Sequence, residues 1–142
     1  MPGWVNWMAI SDVYNRLAQL AMGEFGDVVF QARILYLPTG DPLKLRLDIV
    51  DQSALDVWLS TGGRYSYHWE RRHIGAGDLY RYDNAPHKRW RHLASFPHHF
   101  HDGAEDLTTA SHLSLDPEEA LRQVLTFVRE KLLNETSSDA RV

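Results

Sequence analysis

The chain has 142 residues, of which 44% are hydrophobic and 24% charged, with no cysteine and a formal charge of −4. That length suits one domain able to bury roughly two thirds of the surface its unfolded form exposes. The lack of cysteine excludes disulfides, thiolate metal sites and a Cys nucleophile, and any metal site must use His, Asp or Glu.

The opening residues, Met1-Pro2-Gly3-Trp4-Val5-Asn6-Trp7-Met8, carry neither the positive region nor the apolar stretch of a secretion signal. No later window approaches ~18 uninterrupted apolar residues, so the reading is soluble and cytoplasmic, with no membrane partner. From Ser11 to Met22, Val13, Leu17, Leu20 and Ala21 fall on one helical stripe, with Ser11 or Asp12 as N-cap and Gly23 and Gly26 as the stop. Residues 28 to 37 are β-rich, and Pro38-Thr39-Gly40-Asp41-Pro42 is a dense turn signal. The return strand, Leu43 to Val50, alternates cleanly, with odd positions apolar and Lys44, Arg46 and Asp48 facing the other way. Ala54 to Ser60 and Arg64 to Glu70 read as two more strands around Gly62-Gly63, and Gly75-Ala76-Gly77-Asp78 turns into a strand from Leu79 to Asp83.

Short turns between consecutive strands require antiparallel pairing, since parallel neighbours need longer crossovers. Asp116-Pro117-Glu118-Glu119 then carries an Asp N-cap, Pro at N1 and Glu at N3, and Ala120, Leu121, Val124, Leu125, Val128 and Leu132 make an apolar stripe through Leu133. The fold class is α+β: an antiparallel meander of four to six strands with an N-terminal and a C-terminal helix on one face. We expect a single domain over 1–142, ordered from about residue 9 to 133, with a polar tail from Asn134 to Val142 that frays.

The unusual region lies between the last strand and this helix. Five of the eight histidines fall within the fifteen residues from His87 to His101. From Arg64 to His101 there are seven basic and three acidic residues, a net +4 in a chain whose remainder carries −8. A basic segment in an acidic molecule is the footprint of a phosphate-binding face. Histidine, with an ordinary pKa of about 6.5, suits acid/base work or metal binding there. Asn84-Ala85-Pro86 bends the chain at the sheet rim, so His87 leaves on a loop.

If residues 96 to 103 are extended, Phe96 and Phe100 point inward and His98 is partly buried and structural. His99 and His101 then stand exposed as a pair. RNA cleavage needs a base for the 2′-hydroxyl, an acid for the leaving oxygen and a cation for the phosphorane. His87, His99 and His101 supply the first two, and Arg81, Lys88, Arg89 and Arg91 supply phosphate contacts. Asp83 either orients His87 or caps the turn. No cofactor is called for. A metal, if one is held, uses His99 and His101 with Asp102 or His87. His68, His73 and His112 read as structural or surface groups, and Trp58, Trp69 and Trp90 as core residues or base-stacking platforms.

The string Tyr80-Arg81-Tyr82-Asp83-Asn84-Ala85-Pro86-His87, followed by Phe96-Pro97-His98-His99-Phe100-His101, resembles the TumE-like family of small prokaryotic toxins of toxin–antitoxin modules. The resemblance extends from about Ser11 to Leu133 and implies a cytoplasmic toxin, an antitoxin partner of helix-turn-helix type and an action on RNA. The chain departs from that family's pattern at Lys88, where a second histidine is common, and at Phe100, where a lysine between the last two histidines would add a phosphate contact. The leading expectation is a metal-independent endoribonuclease, with a homodimer as one possible assembly. The alternatives are a non-enzymatic module that binds nucleic acid or antitoxin, and a metal-dependent nuclease or phosphotransfer enzyme.

Overall fold

A computed structural model describes residues 9–74 and 78–140, without the side chains of 138–140; the opening segment and the Gly75–Gly77 part of the anticipated turn lie outside the described residues. Helix α1 (Ile10–Glu24) buries Val13, Tyr14, Leu17, Leu20 and Ala21. It begins one residue before the expected cap. Ala9 holds the N-cap position without a side-chain bond, and Asp12 lies in the first turn, where its charge favours the helix dipole.

Seven strands follow in strict meander order: β1 (Val29–Tyr36), β2 (Pro42–Ile49), β3 (Ala54–Leu59), β4 (Tyr65–Glu70), β5 (Leu79–Asp83), β6 (His99–Gly103) and β7 (Thr108–Ala110). The expectation of four to six strands falls short because the end of the His-rich segment and Thr108–Ala110 form a further hairpin. Three residues of β7 are too few to show a period. Gly63, at φ +89°, takes the left-handed position of the β3–β4 turn, which a side chain resists.

Alternation divides the sheet into two faces. Leu45, Leu47, Ile49, Leu55, Val57, Tyr67 and Trp69 join the apolar residues of α1 and of helix α2 (Pro117–Ala140) in one core cluster, so both helices do cover the same face. The cap of α2 is the expected one, with the Glu119 N–H donating to Asp116 Oδ2 at 3.1 Å. The helix runs past Leu133 to Ala140, although its apolar stripe has ended. Glu135 explains part of this extension, because it accepts two hydrogen bonds from Arg71 at 2.8 and 2.7 Å.

The other face is polar. Across it, Arg33, Arg46, Asp56, His68, Arg81 and His101 are successive cross-strand neighbours on β1 to β6. Ion pairs stitch the row, with Arg46 Nε 2.8 Å from Asp56 and Lys44 Nζ 2.7 Å from the same carboxylate. An open groove of about 1010 Å³ runs over this face, lined by Trp58, Arg64, His68, Arg81, Asp83 and His87 among others.

Candidate active site on the polar sheet face

Two strand registers bring the sequence candidates together. Asp83 on β5 stands opposite His99 on β6, and Arg81 opposite His101, so all four project from the polar face. Asp83 is the hub. Its Oδ1 lies 2.9 Å from His99 Nε2 and its Oδ2 lies 3.5 Å from His101 Nε2 and 2.9 Å from Arg81 Nε. Oδ1 also accepts the Ala85 N–H at 2.9 Å, closing the turn that aims the next segment away from the sheet. Of the two roles anticipated for Asp83, this is the turn cap. Its carboxylate lies against His99 and His101, and it makes no hydrogen bond or ion pair with His87.

Burial alone would raise the Asp83 carboxyl. The Ala85 N–H and the Arg81 guanidinium, which both donate to it, outweigh it and hold the group below the ordinary carboxylate range. For His99, burial lowers the imidazole, with His101 and Arg81 acting in the same direction; the Pro97 carbonyl and Asp83 pull the other way and are overcome. His99 is therefore neutral near pH 7.

His99 and His101 are 1% and 3% exposed, which corrects the expectation that they stand open. Strand β6 starts at His99, so Phe96 and His98 lie outside the alternation, and the preceding loop brings His87, Arg89 and Trp90 back to the polar face. The Trp90 ring sits 6.0 Å from His99 and 5.9 Å from His101. His98 is structural as expected, its Nδ1 lying 2.9 Å from Tyr65 Oη. Phe100 does point inward, stacked on Tyr82 at 4.3 Å and edge-on to Phe127 of α2. A lysine at that position would therefore face the helices and could not reach phosphate at the cluster. Asp102 follows on that same opposite side and is exposed, away from His99 and His101; the carboxylate beside both rings is that of Asp83.

Asp83, Arg81, His87, Arg89, Trp90, His99, His101 and Glu105 enclose a cavity of about 230 Å³ at one end of the groove. His87, Lys88, Arg89 and Arg91 are exposed on the loop, with Arg89 stacked over Trp90 at 4.4 Å. Lys88 and Arg91 lie outside the cavity wall.

Two members escaped the sequence reading. Glu105, in the β6–β7 turn, takes a bidentate pair from Arg81 at 2.7 and 2.9 Å, and its backbone carbonyl accepts from His101 Nδ1 at 2.7 Å. His68, which reads from sequence as a structural or surface group, accepts at Nδ1 from Arg81 Nη1 at 3.2 Å and donates from Nε2 to Glu70 at 3.1 Å. Its alternation with Tyr67 and Trp69 placed it on the polar face, but only register sets it beside Arg81. With Asp83, Glu105, His68 and His101 all served, the Arg81 guanidinium is committed within the protein. Trp69 is core, whereas Trp58 lines the groove.

Among the described residues, the ligand atoms of Asp83, His99 and His101 lie within 4.8 Å of one another, and no other set of three or more His, Asp or Glu is grouped so. A family model described as Toxin TumE matches residues 26–132 and so begins just past α1. No curated protein and no solved structure matches the chain.

Proposed function

The chain belongs to the TumE toxin family, whose members are toxins with a cognate antitoxin, and on that basis we propose that it poisons by cleaving RNA in the groove of its polar sheet face. The observation that carries the reading is the convergence of Asp83, His99, His101 and His87 on one cavity at the end of a groove bordered by exposed cations. Single-stranded RNA fits such a surface through phosphate contacts and base stacking, and Trp58 in the groove offers a ring for the latter.

The imidazole with open access to a substrate hydroxyl is His87, which we assign as the proton-transfer group; Lys88 and Arg89 beside it hold phosphate, with Arg91 adding charge along the loop. His99 and His101 each have one ring nitrogen bound to a backbone carbonyl and the other turned to Asp83, so they stand at the cavity as a fixed pair. The partner is an antitoxin, for which we keep the helix-turn-helix type, and the compartment is the cytoplasm. No helix among the described residues is long and apolar enough to cross a membrane.

His87→Ala should lower the rate of RNA cleavage by about 10²- to 10⁴-fold, the range for a proton-transfer group, and leave the melting temperature unchanged because the residue is exposed. Growth arrest on induction and shortening of RNA by purified protein are the two readouts. A His87→Ala variant that arrests growth and cuts RNA like the parent would remove His87 from the mechanism. One observation favours a second reading: Arg81 is saturated and both β6 histidines are buried, as befits a structural network under a binding face. A module of that kind shifts RNA in gels with strong salt dependence and never shortens it.

A further inference from the structure

We propose that Asp83, His99 and His101 form the binding site of a divalent transition-metal cation, held by two imidazole Nε2 atoms and one carboxylate. The argument begins at the opposite side of each ring. His99 Nδ1 lies 2.9 Å from Pro97 O and His101 Nδ1 lies 2.7 Å from Glu105 O. A carbonyl can only accept, so each Nδ1 carries the hydrogen; Arg81 Nη2, which can only donate, meets His101 Nε2, and no donor meets His99 Nε2, so each ring presents a lone pair at Nε2. Both bare nitrogens then face the Asp83 carboxylate.

For His99 the consequence is direct. Its Nε2 approaches Asp83 Oδ1 to 2.9 Å outside hydrogen-bond geometry and is buried without a hydrogen-bond partner. A lone pair set against a carboxylate is repulsive, and an unpaired buried polar atom costs about 1–3 kcal/mol. A cation between them reverses the sign of the interaction. Backbone carbonyls that fix the Nδ1–H tautomer are also the usual outer support of a ligating histidine.

Local charge permits it. Arg81 is offset by the bidentate Glu105, leaving the Asp83 carboxylate as the surplus. Arg81 Nη2 reaches His101 Nε2 only at 3.3 Å, a long bond that a coordinating cation can displace. Two nitrogens and one oxygen select zinc, manganese, iron(II) or nickel over magnesium and calcium, which favour oxygen ligands throughout. Three protein ligands leave coordination positions open toward the cavity that His87 borders.

The site is the one assigned above to RNA cleavage, yet cation binding can be measured without RNA. Untagged protein is stripped with chelator and titrated with Zn²⁺ and Mn²⁺ by calorimetry and thermal melting. We expect one equivalent to bind one of these ions, a raised melting temperature, and at least a tenfold loss of affinity in Asp83→Asn and His99→Ala, with Asp102→Asn unchanged. Melting of stripped and loaded parent protein decides the matter even if those variants fail to fold. Stripped parent that takes up neither ion, or Asp83→Asn with full affinity, overturns the site. RNA left intact by a loaded protein that binds one equivalent would retain the site and end the ribonuclease reading; undiminished cleavage by stripped protein that binds neither ion would do the reverse.

Discussion

Arg81 illustrates how neighbours assign a residue's task. From sequence it is a phosphate contact; in the fold its Nε, Nη1 and Nη2 serve Asp83, Glu105, His68 and His101, and it fixes the positions of the groups around it. Glu70 lies at the far side of this network. The Arg72 guanidinium beside it lowers its carboxyl to about 2 against the upward push of burial, helped by the Arg72 N–H and the His68 ring. A carboxylate whose folded pKa lies below its unfolded value of about 4.3 contributes stability above that value and loses it as pH falls toward the folded one. Glu70→Gln should therefore flatten the acid limb of stability between about pH 4.5 and 2, by about 1–2 kcal/mol after allowing for solvent screening. Urea midpoints at pH 5 and pH 3 measure it, and an acid limb as steep as the parent's would contradict the assignment.

At the scale of elements, the two ends of α2 are held by different means. Asp116→Ala removes the N-cap and should cost about 1 kcal/mol. Arg71 holds the other end: its side chain, 4% exposed, pairs with Asp51, Asp78 and Glu135 and lies 4.6 Å over the Trp69 ring. Arg71→Ala leaves three carboxylates facing one another and should cost about 3–5 kcal/mol, the range for breaking a buried pair from one side. Chemical denaturation compares the two, and equal losses would argue against this division. Trp90, on the loop between β5 and β6, covers the His99–His101 pair. Trp90→Ala should leave stability within about 1 kcal/mol, because the ring is only half-buried, and speed the modification of His99 and His101 by diethyl pyrocarbonate. Modification at the parent's rate would show that the cluster is shielded by something else.

Over the whole molecule, helices occupy one sheet face and leave the other as a groove. If that groove is the path of RNA, removing one exposed cation should reduce the salt slope of binding by about one unit and weaken all sequences alike. Arg64→Ala is the variant of choice, since Arg64 is exposed and lines the groove. An unchanged slope measured from 50 to 200 mM salt would place the RNA elsewhere.

Local periodicity determined both helices and the strands from β1 to β5. Alternation at Leu45, Leu47 and Ile49 and the stripe from Ala120 to Val128 each show in a few adjacent residues which side is apolar, and that is enough for strand, helix and core face. Asp116 and the Pro38–Pro42 turn were legible because caps and turns depend on contacts within four residues. The site was legible only as composition. Pairing Asp83 with His99 rather than His87, burying both β6 histidines, and recruiting His68 and Glu105 all depend on register between strands and on a loop folding back over them. Those contacts join residues up to 24 positions apart, as from Arg81 to Glu105, and no local pattern encodes them. Tertiary structure decided them because a side chain's partners across a sheet are set by which strands meet, and in what alignment.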